Sequence, residues 1–212
     1  SAIAGGRRVM QLLSLGSEIT DGPGAALSPG ALPLAFRGVS FGYGTDPDVL
    51  HDVTIDVPAG TVLGVVGRTG SGKSTVARLL VRFHDPRQGS IEIDGVDLRQ
   101  LQRRHLRDHV ALVTQEVHVL RGNVRDNLTL FDPTISDERI VAAIRQLGLG
   151  SWFDLLADGL DSVVGEGGAG MSAGESQLLS FGRAFLVDPS VVILDEASSR
   201  LDPATEVVLE AA

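Results

Sequence analysis

Val62–Thr75 reads VLGVVGRTGSGKST, and this stretch decides the fold. Its apolar first half predicts a strand buried on both faces, of the kind found in parallel sheets covered by helices. Gly67–Ser74 matches the pattern G-x-x-x-x-G-K-[ST], and the run STVARLLVRF after it has helical spacing. Strand, glycine-rich turn and helix are the context that a phosphate-binding loop requires. The glycines permit a tight backbone whose successive N–H groups wrap a phosphate, and the helix start adds positive potential. The candidate phosphate residues are therefore Gly67, Arg68, Thr69, Gly70, Ser71, Gly72, Lys73, Ser74 and Thr75. Lys73 is expected to bridge the β- and γ-phosphates of a nucleotide, Ser74 to give its hydroxyl to Mg2+, and Thr75 to sit near the α-phosphate. Lys73 is the only lysine among the 18 basic residues. A compact ammonium on a thin stem reaches between two phosphates where a guanidinium is too bulky.

A second apolar run, SVVILDEA from Ser190 to Ala197, ends in two acids. In open α/β sheets ligands bind at the carboxyl ends of the strands, which is where Asp195 and Glu196 fall. Asp195 fits the acid that holds Mg2+, directly or through water. Glu196, one residue on, fits a general base that polarises an attacking water. Two carboxylates this close repel unless a cation sits between them. Together the loop and the acid-ending strand point to a nucleotide hydrolase.

Composition narrows the partners. The chain has 212 residues, 27 acidic against 18 basic, for a net charge of −9. That balance argues against nucleic acid, which calls for a basic face. There is no cysteine, hence no disulfide framework. No run approaches the roughly 18 apolar residues of a membrane span.

Short apolar or alternating runs predict further strands at LAFRGVSFGY, VTIDV, SIEIDG and VALVT. From Val124 to Ala157 the spacing turns helical, with Ser136 placed to cap a helix that carries Glu138 in its first turn. AGESQLLSFGRAFLV predicts one more helix. The fold class that follows is α/β: a mixed sheet flanked by helices, with an antiparallel part and an inserted helical subdomain. At the start, GGRRVMQLLSL has helical spacing and GSEITDGPGAALSPG is a linker.

One glycine-dense stretch remains, GEGGAGMSAGESQLLS from Gly165 to Ser180. It opens a predicted helix and so is a second place for an anion, although the nucleotide already has a loop. This segment resembles the signature loop of ATP-binding cassette (ABC) ATPases, and the resemblance spans most of the chain. FGYGTDPDVLHDV looks like the adenine-stacking loop, LVTQEV like the glutamine loop, and LDEASSRLDPAT like the acidic strand followed by the D-loop. DSVVGEGGAGMSAGE is similar to the segment that leads into the signature in exporter-type members.

The resemblance implies a P-loop NTPase core in which two cassettes dimerise head to tail, each signature closing over the other's ATP. Ser172 and Gly174 would then contact the γ-phosphate held by a neighbour. Tyr43, the chain's only tyrosine, would stack on adenine with Val49 beside it. Gln115 would contact Mg2+ or the lytic water, Asp202 would complete the dimer seam, and Glu166 would sense the transmembrane partner. The implied organisation is a linker from an upstream transmembrane helix at 1–30 and an ATPase domain at 31–212. Within it the core covers about 31–115 and 188–212 and the helical subdomain about 116–187. The whole would be the ATPase of an ABC exporter on the cytoplasmic face of the plasma (inner) membrane, partnered by a second nucleotide-binding domain and a transmembrane domain. A soluble ABC-type ATPase and an importer subunit are the alternatives.

Three departures stand out. The signature reads Met171-Ser172-Ala173-Gly174-Glu175 in place of the common Leu-Ser-Gly-Gly-Gln; if this weakens the composite site an asymmetric heterodimer follows, and if it does not, a homodimer stands equally open. EVHVLRGN follows Gln115 where exporters often place aromatics. All five histidines lie at or before position 118, whereas the family carries a switch histidine after the D-loop. A C-terminally truncated cassette with weak hydrolysis and an uncovered sheet edge is therefore expected.

Overall fold

The computed structural model describes residues 6–7, 10, 19–114, 116–164 and 173–195. Among them are three sheets, one of four strands and two of two strands, together with a helical part. The first sheet is antiparallel, with β2 (Leu50–Val57), β1 (Leu34–Phe41), β3 (Gln88–Ile93) and β4 (Val96–Asp97) side by side in that order. β1 is central because its residues are buried along most of their length. Phe36, Val39, Ile91 and Ile93 are all at most 2% exposed, and burying each contributes roughly 1.5–3 kcal/mol. The registers Leu34↔Val57 and Leu34↔Ile93 fix both neighbours of β1.

The second sheet is the parallel pair β5 (Val110–Thr114) and β8 (Val191–Asp195), with Thr114 opposite Asp195. Val191 and Ile193 of β8 pack on the first core, together with Leu79 and Leu80 of helix α1 (Lys73–Leu80). Helix α2 (Arg103–His109) leads into β5.

The helical part has its own core. Asn123 caps α3 (Val124–Thr129) by accepting from the Asp126 N–H at 2.7 Å. Ser136 caps α4 (Asp137–Gln146), its hydroxyl accepting from the Arg139 N–H, with Asp137 and Glu138 in the first turn. Ile140, Ala143 and Ile144 thus face inward at helical spacing, against Leu128, Leu179 and Leu186. α5 (Gly150–Asp154) and the short β6 (Gly122–Asn123) and β7 (Val163–Val164) complete this part, and α6 (Ala173–Val187) runs through it. Val113 of β5, Leu147 and Phe181 of α6 join it to the parallel pair.

One predicted element differs. Val62–Val66 forms no strand, and Val62, Leu63, Val65 and Val66 are all exposed. A strand buried on both faces needs a hydrogen-bonded neighbour as well as an apolar sequence. Among the described residues no strand pairs with this run, and β8 pairs with β5 alone. The stretch from Val124 to Ala157 is three helices: Leu130 and Phe131 take left-handed backbone that ends α3, and Gly148, at φ +74°, lies between α4 and α5.

Candidate functional site

The phosphate loop follows from its glycines. Gly72 immediately precedes α1 at φ +91°, and a Cβ there would lie 2.7 Å from Leu50 Cδ2. Only glycine meets both demands. Gly67–Ser71 is exposed, whereas Gly72 is buried against β2. No side chain caps α1 and no acid lies in its first turn, so its first N–H groups face outward with the positive end of the helix dipole. The Lys73 ammonium donates to the Gly67 and Arg68 carbonyls at 2.8 and 3.2 Å and so lies inside the loop.

Ser74 and Asp195 meet across the chain. The Ser74 hydroxyl, at the start of α1, donates to Asp195 Oδ1, at the end of β8, at 3.2 Å. Both side chains are half-buried. A hydroxyl and a carboxylate side by side are hard oxygen donors, and Mg2+ is held by one or two such groups together with phosphate oxygens and waters. The donor set fits that ion.

Tyr43 is anchored on three sides. Its ring lies nearly perpendicular to those of Phe41 and His84, at centroid distances of 5.0 and 5.3 Å. Its hydroxyl is 3.1 Å from the Thr75 hydroxyl and accepts from Arg78 at 3.2 Å. The aromatic residue is thereby tied to the first turn of α1, 32 positions away. Val49 lies at the mouth of the same region, since the Cβ imagined on Gly72 would also meet its Cγ1 at 3.5 Å.

The structure therefore brings together Tyr43, Val49, the loop Gly67–Thr75 and Asp195. Gly174 lies in the first turn of α6. Gln115, Glu166, Met171, Ser172, Glu196 and Asp202 lie outside the described residues. A link the motifs do not announce runs from α6 to the ends of the parallel strands. Gln177 of α6, 1% exposed, donates to the Thr114 carbonyl at 3.3 Å, and Thr114 pairs with Asp195. Nothing in the residue type or spacing of Gln177 signals this contact.

Arg183 of α6 is likewise unannounced. Its guanidinium donates to the carbonyls of Asn127 and His118 at 2.7 and 2.9 Å. Burial lowers its pKa from the ordinary arginine value. These bonds hold the segment after position 115 against α6.

The ABC transporter family profile matches residues 50–199. An uncharacterized ABC transporter ATP-binding protein, YfiC of Bacillus subtilis, is 39% identical over 100% of this chain and 35% of its own length. The ATP-dependent lipid A-core flippase of Desulfotalea psychrophila is 38% identical over 96% of the chain and 36% of its own length. Among solved structures, a bacterial Atm1-family ABC exporter with ATP bound superposes with a TM-score of 0.89 at 32% identity, over 97% of the chain and 36% of the exporter. The chain thus spans about a third of the length of these relatives.

Proposed function

The chain belongs to the ABC transporter family, as an ATP-binding domain with a P-loop NTPase fold, and from that premise we propose that it drives an exporter by hydrolysing ATP. The observation that carries this reading is the Ser74–Asp195 pair beside the phosphate loop, because it joins the two halves of a phosphoryl-transfer site. Phosphoryl transfer needs positioning and charge neutralisation more than covalent chemistry. The loop N–H groups and Lys73 hold the β- and γ-phosphates, and Tyr43 with Val49 receives the base. Ser74 and Asp195, with Gln115, would hold Mg2+, which when bound would supply positive charge to the phosphate oxygens. Glu196 takes a proton from the attacking water.

The composite site follows from the signature. Ser172 and Gly174, at the head of α6, serve the nucleotide of a second cassette, with Asp202 at the seam. Gln177 links that head to the strand end bearing Asp195's neighbour Thr114, so pairing and hydrolysis share one rigid connection. Residues 116–187 act as the helical subdomain on a core of about 31–115 and 188–212. Residues 1–30 lead from a transmembrane helix, and the domain works on the cytoplasmic face of a membrane. The lipid A-core flippase, the RTX-III toxin translocation protein and the multidrug efflux proteins among the relatives support export over import.

ATP binding and hydrolysis by the intact protein test the reading. Lys73→Ala is expected to lose both. Full hydrolysis by that variant would refute it.

A further inference from the structure

Arg87 belongs to none of the motifs above, yet its side chain is built into the loop that follows Tyr43. The sheet carries it there. Gln88 is opposite Ser40 in the β1–β3 register, and the Arg87 N–H donates to the Ser40 carbonyl at 3.0 Å. At that point β1 gives way to loop 42–49. The guanidinium then donates through Nη1 to Asp48 Oδ1 at 2.6 Å, and through Nη2 to the carbonyls of Gly44 and Asp46 at 2.6 and 2.9 Å.

None of residues 44–48 is buried, so the loop has no packing of its own to order it. Hydrogen bonds do that instead. The Asp46 N–H donates to the Tyr43 carbonyl at 2.9 Å, which puts Tyr43 in the same turn. A Cβ on Gly42 would lie 2.6 Å from the Pro47 carbonyl and 3.0 Å from Arg87 Nη1. The loop is therefore folded back tightly around the guanidinium.

We propose that Arg87 is a positioning residue for the nucleobase: it locks loop 42–49 and so sets the orientation of the Tyr43 ring. The inference rests on the reading that Tyr43 stacks on adenine. An arginine suits the task because its planar fork offers several donors in fixed directions, whereas the single ammonium of lysine cannot reproduce them. Preorganising the ring lowers the ordering cost at the moment the base binds. Affinity for the base then depends on Arg87, and affinity for the phosphates does not.

The test compares binding of ATP and of inorganic tripolyphosphate to the intact protein, for the wild type and for Arg87→Ala, Arg87→Lys, Gly42→Ala and Tyr43→Ala. Arg87→Ala is expected to weaken ATP about fivefold while tripolyphosphate stays within about twofold. Arg87→Lys fails to restore ATP affinity, and Gly42→Ala, whose methyl group crowds the Pro47 carbonyl and the Arg87 guanidinium together, shows the same selective loss. Tyr43→Ala weakens ATP alone and by more. If Tyr43→Ala does so while Arg87→Ala leaves ATP unchanged, or weakens both ligands equally, the role of Arg87 is overturned and the stacking reading stands. If Tyr43→Ala leaves ATP binding unchanged, the stacking reading fails and the inference with it.

Discussion

The Ser74 hydroxyl and the Asp195 carboxylate are 3.2 Å apart, although 121 positions separate them in the chain. A helix start and a strand end meet there, and the fold is the means by which they do. The helix start presents its first N–H groups and the strand end a carboxylate, so the proposed phosphate and cation sites would share one edge of the molecule.

Gly72 is a tight point of that edge. With φ at +91° and Leu50 in the way of any Cβ, Gly72→Ala is expected to destabilise the protein by about 1–3 kcal/mol and to weaken ATP binding. Urea unfolding and nucleotide titration of the same variant check both effects.

Asn127 is fully buried and donates to the Leu120 and Asn123 carbonyls while accepting from the Leu120 N–H and from Arg183. Asn127→Ala removes a side-chain partner from each of these groups, leaving Arg183 only its bonds to the Asn127 and His118 carbonyls, and is expected to cost about 2–3 kcal/mol in chemical denaturation. An unchanged midpoint would show that the network contributes nothing net.

Asp97 contributes to the acid side of stability. Burial pushes its carboxyl up, but hydrogen bonds from the Arg99 side chain and backbone outweigh burial and hold it below its ordinary 3.8. A carboxyl lowered on folding stabilises above its unfolded value, and that contribution is lost as pH falls below 3.8. Asp97→Asn is expected to flatten the decline in melting temperature as pH falls below 3.8.

Pairing makes its own prediction. A protomer with Lys73→Ala and another with Gly174→Asp should each be inactive alone, yet a mixed assembly retains one site with an intact loop and an intact signature. Recovery of ATP hydrolysis on mixing is expected. No recovery, with mixed assemblies demonstrated, would remove the account of Gly174.

What the sequence made legible is what it encodes locally. Gly72 beside Lys73 announces its turn, Ser136 and Glu138 announce a capped helix, and an apolar run ending in Asp195 announces a strand. Val62–Val66 shows the limit, since side-chain pattern describes burial and is silent on whether a ladder partner lies alongside. Gln177–Thr114 and Arg87–Asp48 were not legible at all. Each is a polar contact between distant positions, set by sheet register and helix placement, with no periodicity or motif to mark it.

Mg2+-dependent ATP hydrolysis by Asp195→Asn, measured beside its ATP binding, bears most directly on the claim that Ser74 and Asp195 form the catalytic edge. The amide keeps the size of the side chain and removes its charge. Hydrolysis is expected to fall at least about a hundredfold while ATP still binds within several-fold of the wild type. Hydrolysis at the wild-type rate, with the same Mg2+ dependence, would contradict the claim.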